Sequence, residues 1–173
     1  MRERIFAGAG AVLFLGSACA VTVFALMQGG DKPSTDTQSS QQACTDSQTE
    51  PTLAVPEIYK SDGAVTQLQK TDLQQGSGAS AKDGDCLVMK YYGTLASDGT
   101  KFDENFTDTT AFAFKLGQGQ VISGWDQGLA GMKVGSVRRL VIPAALGYGN
   151  QGQGSIPPNA DLVFVVKLLR IQK

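Results

Sequence analysis

The residues of this chain that could do chemistry are aromatic side chains with a few polar groups beside them. Asp103 directly follows Phe102, Tyr148 lies between two glycines, and the single tryptophan, Trp125, follows a glycine at the start of a predicted helix. Aromatic residues on predicted strands usually belong to a hydrophobic core, and the pattern by itself favours that interpretation. Polar tips beside an apolar cluster are instead typical of a ligand pocket. From the residues alone, core and pocket remain alternatives.

Composition excludes several other kinds of site. The chain has no histidine, which excludes Ser-His-Asp and Cys-His catalysis as well as zinc sites that use imidazole. Its three cysteines cannot supply a four-thiolate cluster, and no group of acidic residues has the spacing of a calcium loop. We therefore expect neither a metal nor a cofactor. The net charge of −1 and the lack of a basic stripe interleaved with aromatics argue against nucleic acid as a partner.

The N-terminus predicts a membrane segment. Residues 5–27 contain no charged side chain, and as a helix they would reach roughly 34 Å, enough to span a bilayer. We therefore assign residues 1–27 to an N-terminal membrane anchor, with the preceding arginines in the cytoplasm and the rest of the chain exported. A cleaved signal segment and a lipoprotein modified at Cys19 remain alternatives.

The rest of the chain divides into a linker and one domain. Residues 28–56 are rich in Ser, Thr and Gln and predict a flexible linker. Residues 57–173 predict short strands separated by Gly, Asp, Ser and Pro, with one brief helix at 124–132. Many strands with one helix indicate an α+β fold built on an antiparallel sheet. The predicted strands cover 66–73, 85–95, 111–116, 136–142 and 161–171.

Two short motifs carry weak signals. Residues 147–152 satisfy the pattern G-x-G-x-x-G, but two prolines follow closely, so the segment predicts a loop rather than the strand–turn–helix of a dinucleotide site. Asn105-Phe106-Thr107 fits a glycosylation sequon, a match short enough to occur by chance. Neither motif is assigned a function from the sequence.

Cys44 and Cys86 are the two cysteines outside the apolar N-terminal run. In an exported chain they could pair and join the linker to the domain. The alternative is that Cys86 is a buried strand residue and that Cys44 is unpaired. The sequence favours the disulfide and leaves the alternative open.

Several motifs follow one another in order between residue 65 and the C-terminus. They are Lys101-Phe102-Asp103, Leu116-Gly117, Val121-Ile122-x-Gly124-Trp125, Gly131-Met132-x-Val134-Gly135 and the segment from Ile156-Pro157-Pro158 to Phe164. Together they resemble the FK506-binding-protein (FKBP-type) family of peptidyl-prolyl cis-trans isomerases. The resemblance implies a twisted antiparallel β-sheet wrapped around one short α-helix, with a pocket between sheet and helix. By position match, the residues implied to line this pocket are Tyr91, Phe102, Asp103, Phe112, Val121, Ile122, Trp125, Tyr148, Ile156 and Phe164.

The same resemblance implies an enzyme that isomerises X-Pro bonds of exported proteins without a cofactor. It implies a catalytic role for Phe102, Asp103, Trp125 and Tyr148, and substrate binding by the other lining residues. Trp125 would form the floor of the site, other aromatic rings its walls, and the Ile122 N–H and the Tyr148 hydroxyl would hold substrate carbonyls. Proline-containing polypeptides and macrolides of the FK506/rapamycin type are the implied partners. A non-catalytic module that binds proline peptides in the same pocket is the alternative.

Overall fold

Within residues 44–172, a six-stranded antiparallel sheet and one short helix build the domain. The computed structural model describes residues 44–172. The sheet order is β1-β5-β6-β2-β3, and β4 also pairs with β2. The predicted α+β fold, an antiparallel sheet with one short helix, is therefore confirmed. The elements are β1 (Gln69–Gln74), β2 (Cys86–Leu95), β3 (Lys101–Glu104), β4 (Phe112–Lys115), α1 (Ser123–Leu129), β5 (Val137–Ile142), a 3₁₀ turn (Ala144–Leu146) and β6 (Leu162–Gln172).

The predicted membrane anchor at residues 5–27 lies outside the described residues, as does the first part of the predicted linker. Between residues 44 and 172, no helix has both the length and the apolar character that crossing a bilayer requires. The anchor therefore stays a prediction.

Strand β6 lies at the centre of the sheet and is buried on both faces. It pairs with β5 on one side and with β2 on the other. Successive side chains of a strand point to opposite faces, so Phe164 and Val166 join the large core under the helix, while Val163 and Val165 join two smaller clusters on the other face. Burial on both faces explains why this strand reads as a nearly continuous apolar run.

Helix α1 packs very close to β5 because a glycine faces that strand. A Cβ atom added at Gly124 would lie 2.4 Å from a methyl carbon of Ile142, a distance that real Cβ contacts do not reach. Without that side chain, the helix approaches the sheet closely enough to bury the next residue, Trp125, which is only 4% exposed. The guanidinium of Arg138 on β5 donates to the Gly128 carbonyl at 2.9 Å, which fixes the far end of the same helix.

The face of the sheet opposite the helix is covered in part by residues 44–56, which we call the strap. The strap has no helix or strand of its own, but it lies against the loop that follows β3. The Glu50 N–H donates to the Thr109 carbonyl and the Leu53 N–H to the Phe106 carbonyl, both at 2.7 Å. The predicted linker to residue 56 thus differs from the structure, since its last part packs on the domain.

Two side-chain links hold the strap in place. Cys44 and Cys86 form a disulfide with a Cα–Cα distance of 5.6 Å, within the usual range for such bonds. The guanidinium of Arg170 on β6 forms ion pairs with the carboxylates of Asp46 and Glu50. Composition alone favours disorder for this polar segment, whereas specific anchors attach it to β2 and β6.

The predicted elements differ from the structure by more than one residue at three places. Strand β3 was not predicted, because only one of its four residues is apolar and its strand character comes from pairing with β2. Strand β1 begins later than predicted, at Gln69, and all six of its residues are exposed, so no burial pattern marks it. The helix ends at Leu129 rather than at residue 132, because Ala130 has an extended backbone.

Candidate active site

A pocket of about 440 Å³ lies between helix α1, the sheet and the loop after the 3₁₀ turn. All ten residues that the resemblance placed in a pocket line this one cavity. Core and pocket, the two alternatives for the aromatic residues, are therefore both present in the structure. Several of these rings belong to the main core and also face the cavity. The lining residues are Tyr91, Phe102, Asp103, Phe112, Gln120, Val121, Ile122, Trp125, Tyr148, Gln153, Gly154, Ser155, Ile156 and Phe164.

The indole of Trp125 is the centre of the aromatic set. Three rings meet it edge to face, with centroid distances of 5.2 Å to Phe164, 5.4 Å to Tyr91 and 6.0 Å to Phe112. Edge-to-face contacts of this kind suit the charge distribution of aromatic rings and fix their orientation. The indole is therefore held rigidly below the cavity, where it offers a flat apolar surface.

Phe102 and Phe164 form one wall by crossing over a glycine. Their ring centroids are 5.4 Å apart at an interplanar angle of 82°. They come from β3 and β6, on either side of β2, and they meet above Gly93 of that strand. A Cβ at Gly93 would lie 2.8 Å from carbon atoms of both rings, so only glycine allows this contact. The contact between the two rings of this wall thus depends on Gly93, a residue without a side chain.

Asp103 lies on β3 with its carboxylate toward the cavity. The hydroxyl of Tyr91 on β2 donates to Asp103 Oδ2 at 2.7 Å, and the Glu104 N–H donates to Oδ1 at 2.9 Å. Both carboxylate oxygens therefore have a donor that fixes their direction. Asp103 and Tyr91 act as one unit, because moving either residue changes the bond between them.

Tyr148 is positioned by the loop that follows the 3₁₀ turn. The N–H of Gly149, which has a φ of 59°, donates to the Ala144 carbonyl at 2.9 Å, and the Asn159 N–H donates to the Gly149 carbonyl at 2.8 Å. The Asp161 carboxylate in turn accepts the Ala144 N–H at 2.9 Å. These bonds fold the loop back so that the tyrosine points into the cavity.

Val121 and Ile122 enter the cavity from the turn before α1. The Asp126 carboxylate in the first turn of the helix accepts the N–H groups of Gly117 and Gly119, at 2.9 and 3.2 Å, and so ties that turn to the helix. Within residues 44–172, the hydrogen bonds do not use the N–H of Ile122. This donor is thus without a partner among those residues, at a position that lines the pocket.

Burial and charge raise the pKa of both tyrosines of the site further above neutral pH. The pKa of Tyr91 is raised well above its usual value by burial, and further by its hydrogen bond to Asp103 and by the charge of that carboxylate. The pKa of Tyr148 is raised by burial and then by the Asp103 charge. Both hydroxyls are therefore hydrogen-bond donors at neutral pH.

Phe112 lies at the rim rather than deep in the wall, since 38% of its surface is exposed. Four further lining residues were not predicted: Gln120 before the helix, and Gln153, Gly154 and Ser155 in the loop before Ile156. Their sequence signal was their closeness to Val121 and Ile156, which were assigned to the pocket. Gln120, Gln153 and Ser155 add polar side chains to the lining of the cavity.

Comparison with known proteins agrees with this geometry. The family model described as FKBP-type peptidyl-prolyl cis-trans isomerase matches residues 78–169. The peptidyl-prolyl cis-trans isomerase FPR2 of Saccharomyces cerevisiae is 50% identical over 93 residues, which are 53% of this chain and 69% of that protein. The crystal structure of FkpA from Escherichia coli is 40% identical with a TM-score of 0.57, covering 65% of this chain and 53% of that one. The chain belongs to the FKBP-type peptidyl-prolyl cis-trans isomerase family.

Some relatives are much longer than the matched region. FK506-binding protein 4 of Neurospora crassa is 52% identical over 101 residues, which are 58% of this chain but only 21% of that protein. The shared part is the isomerase domain, and the family assignment applies to that part.

Proposed function

We propose that this protein isomerises X-Pro peptide bonds by binding the proline in the pocket above Trp125. The observation that carries the proposal is the convergence of rigid aromatic walls and two available donors on one cavity of about 440 Å³. A cavity of this size suits a proline ring with its flanking residues. The sequence provides no histidine nucleophile or base, and the mechanism below needs none.

The mechanism depends on the polarity of the amide. A planar X-Pro amide is stabilised by resonance and separates charge, and rotation about it has a barrier of about 18–20 kcal/mol. Twisting breaks the resonance, so the carbonyl becomes less polar. An apolar pocket therefore favours the twisted amide over the planar one, which is differential binding of the transition state. Each 1.4 kcal/mol of that difference gives about tenfold in rate.

The polar groups of the site orient the peptide around this bond. In our proposal, the Ile122 N–H and the Tyr148 hydroxyl donate to substrate carbonyls on either side of the proline. The Asp103 carboxylate, fixed by Tyr91, faces the twisting amide. Trp125 and Phe102 supply the apolar surface that contacts the pyrrolidine ring.

The direct test is a protease-coupled isomerisation assay on a short X-Pro peptide. We expect catalysis well above the uncatalysed exchange, which takes tens to hundreds of seconds. A macrolide of the FK506 or rapamycin type is expected to inhibit competitively and to change the emission of Trp125, the only tryptophan. Macrolide binding without catalysis would favour the non-catalytic proline-peptide module, and the absence of both would contradict the pocket assignment.

We also propose that the isomerase domain works outside the cytoplasm on exported proteins, tethered by residues 5–27. The support is the Cys44–Cys86 disulfide, since stable disulfides are rare in reducing compartments, together with the uncharged N-terminal run.

Protease added to intact cells is expected to release a fragment that begins between residues 28 and 43 and contains the whole domain. The reason is that this segment joins the proposed anchor to the packed strap and has the composition of a linker. Mass spectrometry of the released fragment gives the cut site, and a cytoplasmic marker protein that stays intact is the control. Full protection of the domain until the cells are lysed would contradict the exported topology.

A further inference from the structure

The strand pairing along one edge of β2 is interrupted at Tyr91, a residue that lines the pocket. On one edge of β2, pairing with β4 runs only as far as Met89, and pairing with β3 begins only at Tyr92. Among residues 44–172, no strand residue therefore pairs with Tyr91 on this edge, although its hydroxyl donates to Asp103 and its ring contacts Trp125. On the other edge Tyr91 pairs with Val166 of β6, so what lacks a strand partner is the side of its main chain that faces the gap between β4 and β3.

Asn105, the first residue after β3, pairs with both main-chain polar groups of Tyr91 in this gap. Its side-chain Oδ1 accepts the Tyr91 N–H at 2.6 Å, and its own N–H donates to the Tyr91 carbonyl at 3.0 Å. Its Nδ2 donates to the Met89 carbonyl at 3.4 Å. The residue is only 7% exposed, so these bonds are largely shielded from water. One asparagine thus substitutes for the missing strand partner.

The loop that carries Asn105 is itself held by a buried charge. Lys90, on β2 next to Tyr91, is completely buried. Its ammonium donates to the Asn105 carbonyl at 3.0 Å and to the Asp108 carbonyl. Burying a charge is costly unless hydrogen bonds compensate it, and here both bonds hold one loop. The strap contacts the same loop from outside, at Phe106 and Thr109.

We propose that Asn105 is a positioning residue for isomerisation, acting through the main chain of Tyr91 on the Tyr91–Asp103 pair, with Lys90 fixing the loop that carries it. This inference rests on the proposed isomerase function. The asparagine of the glycosylation motif then has a structural role, because its side chain hydrogen-bonds to the main chain of β2. The amide nitrogen that a glycan would need is buried and bonded to Met89, so the folded domain cannot be modified there.

A double-mutant cycle with Tyr91→Phe tests the proposal. We expect Asn105→Ala alone to lower kcat/KM on an X-Pro peptide by roughly tenfold or more, because small displacements of positioned groups are costly. In a Tyr91→Phe background, where the hydroxyl link to Asp103 is already lost, the same change is expected to cost less than about threefold. Rates are expressed per folded molecule, with the folded fraction measured by near-ultraviolet circular dichroism.

The matched control is Ser136→Ala. Ser136 is also buried, and its hydroxyl accepts a main-chain N–H, that of Gly76, at 2.8 Å, but it does not line the pocket. Its replacement is expected to lower stability and to leave kcat/KM unchanged in both backgrounds. This comparison separates positioning of the site from loss of a buried hydrogen bond in general.

Lys90→Met is the second variant and enters the same cycle if Asn105→Ala does not fold. Methionine fills a similar length with apolar atoms but lacks the ammonium, so the two hydrogen bonds to the loop are lost. We expect its loss of kcat/KM, like that of Asn105→Ala, to be smaller in the Tyr91→Phe background. The proposal would be overturned if the variant that folds lowers kcat/KM by the same factor in the wild-type and Tyr91→Phe backgrounds. It would also be overturned if that variant alone has the kcat/KM of the wild type. If neither variant folds, the two residues are structural and the proposal is also overturned. Lack of activity in the wild type would instead contradict the proposed function.

Discussion

Replacing Phe102 by alanine is expected to lower kcat/KM on X-Pro peptides by roughly thirtyfold, a loss of about 2 kcal/mol of transition-state stabilisation. The ring forms the wall with Phe164 and faces the cavity, so its removal exposes the twisting amide to water. Stability should suffer less than activity. Loss of a fully buried phenylalanine costs about 3–5 kcal/mol, but Phe102 is only partly buried on the short strand β3. Peptide isomerisation and urea unfolding on the same preparation measure the two effects.

Val141→Ala is the control for Phe102→Ala. Val141 is 2% exposed on β5 and packs with Val65, Ala96 and Val163 in a cluster separate from the pocket. We expect this variant to lose about 2 kcal/mol of unfolding free energy through lost packing, with unchanged kcat/KM for the folded protein. If Phe102→Ala loses stability but keeps its activity, the ring is a core residue and the wall assignment is wrong.

The long strands could be predicted from the sequence because burial leaves a pattern in it. Strands β2 and β6 are apolar over most of their length and are buried on both faces, and their predicted bounds are within one residue of the structure. Strands β1 and β3 have no such pattern. Their strand conformation comes from hydrogen bonding to a neighbouring strand, β5 for β1 and β2 for β3. Pairing between segments that are distant in the chain cannot be predicted from the local order of residues.

The candidate site shows the same limit. The ten lining residues could be named because motifs identified the family, although no spacing rule places Tyr91 beside Asp103 or Phe102 beside Phe164. The supporting groups could not be named in this way. Asn105 appeared as a chance sequon and Lys90 as an ordinary strand residue, because their importance arises from a gap in the ladder that only the pairing of β2 reveals.

The strap shows how a few specific contacts can override composition. A segment rich in Ser, Thr and Gln buries little apolar surface, so its average properties predict a free chain. One disulfide, the two ion pairs of Arg170 and two main-chain hydrogen bonds to the loop after β3 attach it to the domain. This difference has an energetic consequence that can be measured.

Loss of the Cys44–Cys86 bond is expected to lower the free energy of unfolding by about 2–4 kcal/mol. The bond joins residues 42 positions apart and restricts the unfolded chain over that whole length. In the exported protein, both thiols should resist alkylation until a reductant is added. Cys44→Ala combined with Cys86→Ala avoids burying a new hydroxyl at position 86, and urea unfolding of this variant under oxidising conditions gives the loss.

The single variants distinguish the bond from the side chains. Either Cys44→Ala or Cys86→Ala already breaks the disulfide, so each should lose nearly the full amount and the second replacement should add little. Reduced wild-type protein should unfold at nearly the same urea concentration as the double variant. Additive losses from the two single replacements, or a wild-type stability that does not respond to reductant, would show that the strap is held by Arg170 and the main-chain contacts rather than by the covalent bond.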